Sequence, residues 1–282
     1  MKITVVGSIN LDFVATAAVL PRAGETVTGA MLARHPGGKG ANQALAARKL
    51  GADVALIGRV GDDEMSDAAL SLLIDHEVDL SDVETDPVLP TGVALIAVDQ
   101  TGENQIVVCA GANHGVTPEH LPARIDCPLI VQLELPIATV EAAVGRATEF
   151  VCVNLAPAAP VSDQLLRRAD LLIVNETEAA FYGDLLHHGG GCVVVTLGAK
   201  GAVMYQRGGE VARAEPPEVK AIDATGAGDA FVGAICVALL EGMEAGDALT
   251  FACAAGALAA TRPGAQPSLP TRAEVECLIT RS

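Results

Sequence analysis

Tryptophan is absent from this chain of 282 residues, and aromatic side chains make up only 2% of it. Half of the residues are nevertheless hydrophobic. A core must therefore come from Ala, Val, Leu and Ile, which suits helices packed closely on a parallel sheet. Basic residues are also scarce: 18 Lys and Arg stand against 35 Asp and Glu, a net charge of −17. That balance argues against a nucleic-acid partner or an anionic membrane surface. It leaves a nucleotide open, provided backbone amides and a metal ion supply the positive field. The seven cysteines (Cys109, Cys127, Cys152, Cys192, Cys236, Cys253 and Cys277) include no CxxC pair. A zinc site or disulfide framework is not expected, and a cytoplasmic, reducing location is. No apolar run is long enough to span a bilayer, Val232 to Leu240 included. The first strand-like run is too brief for a signal peptide. The six histidines form no HxH or HExxH pattern, and there is no serine nucleophile elbow, internal repeat or GxGxxG fingerprint.

What the sequence does contain is organised around Asp223-Ala224-Thr225-Gly226-Ala227-Gly228-Asp229-Ala230-Phe231. A polar connection precedes it, and an apolar stretch rich in small residues follows. This reads as a loop entering a buried helix at Gly226 or Gly228. Helix starts present unpaired N–H groups and a positive dipole end, and glycines let an anion approach them. Phosphate is the usual anion at such corners. Asp229 would repel it unless the carboxylate takes a proton from an attacking hydroxyl. The competing reading makes Asp229 an ordinary helix-start residue.

Along the chain, Ile3 to Gly7 reads as the first strand of an α/β sheet, with Asn10 and Asp12 just beyond its C-terminal end, where ligands of open sheets collect. An ordinary Asx turn is the alternative there. Residues 11–34 and 90–110 read as short β-strands outside the main sheet, the second pair flanking a hairpin signal at Asp99-Gln100-Thr101-Gly102. Together they suggest a small β lid. Pro36 to Gln43 is a second glycine corner opening a helix, for a sugar or phosphate or simply as a glycine-rich helix start; Gly40 follows Lys39, so it is not a Walker A loop. Runs at 54–60, 129–133, 150–155, 171–174 and 192–197 alternate with helices and each ends in a polar or glycine tip. Asn175 and Glu178 lie three apart, suited to a hydrated Mg²⁺ or simply to helix capping. Gly198 to Gly201 reads as a nucleotide-facing turn or a hairpin turn into 202–205. A small-residue helix over 245–260 ends at Thr261-Arg262-Pro263-Gly264-Ala265-Gln266, an ordinary stop signal or, through its exposed carbonyls, a place for a cation.

These pieces, in this order, resemble the ribokinase branch of the PfkB carbohydrate kinase family across nearly the whole chain. The motifs are Gly7 to Asp12, Gly37 to Gln43, Gly61-Asp62-Asp63, Thr91 to Ala94, Gly111-Ala112-Asn113 and Gln132-Leu133-Glu134. Further ones are Asn175 to Glu178, Thr196-Leu197-Gly198, Asp223 to Phe231 and Thr261 to Ser268. The resemblance implies one three-layer α/β domain over 1–282, with a mainly parallel central sheet and a β lid that also forms a homodimer interface. It implies ATP-dependent phosphorylation of the 5-hydroxyl of D-ribose. Under it Asp229 is the catalytic base, and the amides of Gly226, Ala227 and Gly228 form the anion hole. Asn10, Asp12, Gly38, Lys39, Gly40, Ala41, Asn42 and Glu134 line the sugar pocket. Asn175, Thr196, Leu197, Gly198, Ala199, Lys200, Gly201, Gly228 and Cys253 contact ATP. Glu178 serves Mg²⁺ through phosphate or water. Asp223, Thr225, Ala259, Arg262, Gly264 and Ser268 hold an activating K⁺. Two departures stand out: His is common in that branch where this chain has Cys253, and 183–192 leaves room for little more than a loop where a full helix is usual. Kinases of 2-deoxyribose or of a nucleoside are the enzyme alternatives, a non-catalytic sugar sensor the remote one. A nucleoside pocket would call for a stacking aromatic, and the lid offers mainly Phe13.

Overall fold

A computed structural model describes residues 1–100 and 103–281. In chain order the elements begin with β1 (Lys2–Val6), β2 (Asn10–Thr16), β3 (Met31–Gly37), α1 (Lys39–Lys49), β4 (Asp53–Gly61), α2 (Glu64–Asp75) and β5 (Asp79–Asp86). They continue with β6 (Gly92–Val98), β7 (Asn104–Cys109), β8 (Leu129–Gln132), α3 (Ile137–Arg146), β9 (Val151–Asn154), α4 (Asp163–Arg168), β10 (Leu171–Asn175) and α5 (Glu176–Tyr182). The chain finishes with β11 (Cys192–Thr196), β12 (Ala202–Gln206), β13 (Gly209–Ala214), α6 (Ala227–Leu240), α7 (Ala245–Ala259) and α8 (Arg272–Arg281).

Nine strands form the main sheet in the order β13-β12-β11-β10-β9-β8-β1-β4-β5. All neighbours are parallel except β11–β12 and β12–β13, which pair antiparallel. The apolar runs fit this placement because strands buried on both faces need no polar alternation. Along β10, Leu171 and Ile173 enter one hydrophobic core with α1, α6 and α7, while Leu172 and Val174 enter a second core with α3 and α4. Successive side chains of a strand point to opposite faces, so the sheet separates two helical layers, three in all.

The four-stranded small sheet, ordered β3-β2-β6-β7, arises from the segments expected to form β structure outside the main sheet. Its central pair, β2–β6, is parallel and its outer pairs antiparallel. The tip expected between its last two strands includes Thr101 and Gly102, which lie outside the described residues. β2 continues from β1 through only three residues, so the lid and the main sheet meet at 7–9. After α5 the chain makes only a short 3₁₀ turn at Gly183–His187 before β11, as the brevity of that segment implied. No described helix is long and apolar enough to cross a membrane.

α6 is buried along Asp229–Ala238 and lies between α1 and α7. A Cβ placed on Gly233 would sit 2.7 Å from Ala46 Cβ and 2.9 Å from Ala47 N. Helix propensity alone would favour alanine at position 233 by about 1 kcal/mol. Contact with backbone that cannot swing aside outweighs it. Gly233→Ala should therefore lower stability by about 1–3 kcal/mol, the usual scale of overpacking. Urea unfolding would measure this, and a stabilised variant would show that α1 yields to the methyl group.

Candidate active site

The C-terminal ends of β1, β8, β9, β10 and β11 lie side by side, and the candidate residues follow that edge. Asn10 lies just past β1, and Gln132 and Glu134 lie at the end of β8. Asn154 ends β9 and Asn175 ends β10, paired with Thr196 of β11. Over this row lies the first turn of α1. It can come so close because neither backbone carries a side chain at the crossing: a Cβ on Gly7 would lie 2.5 Å from Gly40 Cα and 2.2 Å from Gln132 Oε1. The Ala41 N–H donates to Ser8 O at 2.9 Å, and the Gly40 N–H to Ser8 Oγ at 3.3 Å. Lys39, Asn42 and Gln43 are thereby delivered above the sheet edge.

Asp229 stands in the first turn of α6 and is only 7% exposed. Gly226, the N-cap, is left-handed at φ 79°, which reverses the chain into the helix. Asn42 Nδ2 donates to Asp229 Oδ2 at 2.8 Å, and Gln43 Nε2 to Asp229 Oδ1 at 2.9 Å. The carboxylate is thus buried but fully oriented by two neutral amides. Among the described residues nothing accepts from the N–H groups of Gly226, Gly228 or Asp229; the Ala227 N–H closes a turn on Ala224 O at 3.2 Å. A Cβ on Gly228 would meet nothing within 4 Å, so this start of α6 faces open space. Asn42 Oδ1 is buried without a partner, an acceptor left for a ligand hydroxyl.

The remaining pocket groups come from β2, α1 and the end of β8. Asn113 Oδ1 accepts from Ile9 N at 2.8 Å, while its Nδ2 donates to Asn10 Oδ1 at 2.8 Å. Asn10 therefore has its acceptor engaged, while its amide donors have no partner among the described residues. Glu134 Oε2 accepts from Ser8 Oγ at 2.5 Å and Lys39 N at 3.1 Å. Burial, reinforced by Glu134 and Asp229 and only partly offset by Lys39, pushes the Asp12 carboxyl up to about 7. Burial works against the Lys39 ammonium, yet Asp229, Glu134, Glu178 and Asp12 together hold its pKa above the usual lysine value. One cation thus serves four carboxylates.

At the other end of the edge, Asn175 Oδ1 accepts from Glu178 N and Glu178 Oε2 from Asn175 N, both at 2.8 Å. This reciprocal cap shows Asn175 acting as the helix cap, the second of its two readings, and buries Glu178 near Lys39. Burial raises the Glu178 carboxyl, against the pull of the Asn175 N–H and Lys39. Residues 197–201 form the tight turn of the β11–β12 hairpin, closed by Leu197 N to Gly201 O at 2.7 Å; Ala199 and Lys200 are exposed. Cys253, on α7, is buried with its thiol 3.8 Å from Ala214 O, and burial pushes its pKa up to about 11.

The loops before α6 and after α7 are knitted together by Asp223. Its Oδ1 accepts from Thr225 N at 2.9 Å and Oγ1 at 2.6 Å, and its Oδ2 from Gly264 N at 2.8 Å. Burial opposes ionisation, but these bonds, helped by His35, hold the Asp223 carboxyl below its ordinary value. Ser268 Oγ donates to Ala265 O, and the Arg262 guanidinium turns away to Glu274. Of Arg262 only the backbone carbonyl could face a cation here. Ala259 lies at the C-terminal end of α7, where carbonyls collect.

Comparison with known families bears directly on this arrangement. The family model described as "pfkB family carbohydrate kinase" matches residues 1–272. The chain belongs to the pfkB family of carbohydrate kinases. It is 38% identical over 296 residues to a ribokinase of Haemophilus influenzae, covering 96% of each chain. A Thermotoga maritima ribokinase crystal structure superposes with a TM-score of 0.87 at 34% identity, over 99% of both chains. An Arabidopsis thaliana ribokinase structure, complexed with ribose and ATP, superposes at 0.85 with 29% identity, over 100% of this chain and 99% of that one.

Several residues that tie this pfkB-family site together carried no role in the sequence reading. Gln43, Gln132 and Asn154 form an amide cluster beneath Asp229, and Asn113 and Ser8 orient Asn10 and Glu134. Asp63 accepts from Thr91 N at 2.7 Å and Thr91 Oγ1 at 2.8 Å, tying the end of β4 to the start of β6. His35 reaches from β3 to the Gly264 loop. The spacing Gln43–Asn42 was visible, but only the fold brings positions 132 and 154 beneath them.

The elevated Asp12 carboxyl makes stability depend on pH. Because the fold raises its pKa, its stabilising contribution is complete below the ordinary carboxyl range and is lost as pH rises through about 7. Asp12→Asn, a neutral isostere, should raise the melting temperature over the parent at about pH 8, with the gap closing towards about pH 5. A gap independent of pH would show that Asp12 ionises freely in the fold.

Proposed function

We propose that the chain is an ATP-dependent kinase of D-ribose, phosphorylating its 5-hydroxyl. The observation that carries this is the buried Asp229 carboxylate, oriented at a helix start where the N–H groups of Gly226, Gly228 and Asp229 are free, next to an unpaired acceptor on Asn42. Asp229 takes the proton of the attacking hydroxyl. The amides of Gly226 and Gly228, with Ala227 beside them, face the transferred phosphoryl group. Asn10 and Lys39 donate to the polyol, and Asp12, Asn42 and Glu134 accept from it. The backbones of Gly38, Gly40 and Ala41 form the floor. Full-length similarity to proteins named ribokinase supports this sugar over the other pentoses.

ATP fits the far end of the crevice, where the 196–201 turn, Asn175 and the open face of Gly228 leave backbone accessible. Bound there, it supplies the phosphoryl group. Cys253, on α7, lines the same end. Mg²⁺ suits the single buried carboxylate of Glu178, since this ion keeps its waters and relies on phosphate oxygens for most of its shell. K⁺ suits the oxygen-rich loops around Asp223, with carbonyls of Thr225, Ala259, Arg262, Gly264 and Ser268 as donors. We assign a homodimer through the small sheet, whose Met31, Leu32, Leu95, Ile106, Val107 and Val108 are exposed. Seven free cysteines fit a cytoplasmic setting.

An ADP-release assay with Mg²⁺, K⁺ and a panel of pentoses and nucleosides should give fastest turnover with D-ribose; preference for 2-deoxyribose or a nucleoside would replace the substrate. Asp229→Asn should bind ribose and fold normally yet lose on the order of 10²–10⁴ in kcat. Near-normal turnover would remove Asp229 from the chemistry. Replacing K⁺ by a large organic cation at constant ionic strength should slow the enzyme, and an unchanged rate would reject the K⁺ assignment.

A further inference from the structure

Beneath Asp229 runs a chain of buried amides with a fixed direction. Asn154 Nδ2 donates to the main-chain carbonyl of Ile173 on β10 at 3.2 Å. A carbonyl can only accept, so Asn154 must turn its Oδ1 the other way, to Gln43. Gln43 Nε2 has two hydrogens: one goes to Asn154 Oδ1 at 3.0 Å, the other to Asp229 Oδ1 at 2.9 Å. On its other side, Gln43 Oε1 accepts from Gln132 Nε2 at 2.7 Å. Gln43 and Gln132 are fully buried, and Asn154 nearly so.

A primary amide is almost symmetrical in shape, so packing cannot tell its oxygen from its nitrogen; only hydrogen bonds can. Were Gln43 reversed, its oxygen would face both the Asp229 carboxylate and Asn154 Oδ1, leaving acceptors opposed in a buried site. The backbone of β10 forbids that reversal, acting through Asn154. We infer that Gln43 is a positioning residue for phosphoryl transfer, and that Asn154 sets the direction of its amide. It holds the Asp229 carboxylate at the angle that abstraction requires, with a neutral donor in place of a second cation. This rests on the kinase assignment above and adds to it the residues that aim the base.

The test compares Gln43→Met, Asn154→Leu and the double variant, using whichever pentose the parent turns over. A parent inert towards every pentose overturns the kinase assignment itself. With an active parent, Gln43→Met should lower kcat about 10- to 100-fold, the scale on which misplaced catalytic groups fail. The KM for sugar should stay within about threefold, because Asn42 and the rest of the pocket are untouched. Asn154→Leu should lower kcat in the same direction by less. Since Asn154 acts through Gln43, the double variant should be no slower than Gln43→Met alone. Multiplying losses, a KM that rises as kcat falls, or an unchanged kcat in Gln43→Met would each overturn the inference. Should Gln43→Met fail to fold, Asn154→Leu decides alone: an unchanged kcat, or a loss carried by KM, overturns it.

Discussion

Everything in the crevice depends on two backbones touching where neither has a side chain. At Gly7 and Gly40 the end of β1 and the first turn of α1 approach closely enough that a single methyl on either would displace backbone. That contact lets Ser8 accept from the helix start with its carbonyl and its hydroxyl alike. It also sets the height at which Lys39, Asn42 and Gln43 hang above the strand ends. From there Asn42 and Gln43 reach a carboxylate that belongs to α6, a helix nearly two hundred residues later in sequence.

Charge is the second constraint, and the site handles it without matching each carboxylate to a cation. Asp229 rests on two side-chain amides, Glu178 on the main-chain N–H of its own helix cap, Asn175, and Glu134 on Ser8 and a main-chain N–H. Asp12 lacks such support, and there the cost of burying a negative charge shows as a raised pKa. Neutral donors orient an anion without cancelling its charge, as the base proposed at Asp229 requires. Lys39 alone brings positive charge among the four.

Much of this architecture was legible in the residues. The two-faced strands announced themselves as unbroken Val, Ile and Leu runs, and the glycine corners marked both helix starts that meet at Asp229. β5 was not legible: Asp79–Asp86 is an edge strand of mostly polar, exposed residues, without the alternation that betrays a half-buried one. α2 starts four residues before its apolar pattern because Asp63 caps it by accepting from Met65 N. The antiparallel turn after β11 looked equally like a ligand loop, since both uses want glycine in the same places. Within the site, charged and glycine residues could be singled out from their chemistry. Gln43, Gln132 and Asn154 could not, because their bonds to one another and to Asp229 join distant parts of the chain, and only neighbours in space decide which end of each amide is which.

One feature of the small sheet reaches further than its shape. Asn10 and Asp12 sit on β2, bonded along their length to β3 and β6, while Lys39, Asn42 and Glu134 belong to the main body. The groups proposed for the sugar pocket are therefore split across the seam between two sheets. An outward swing of the smaller one would carry Asn10 and Asp12 away from the other three, so that opening this seam and letting a bound sugar go would be a single event.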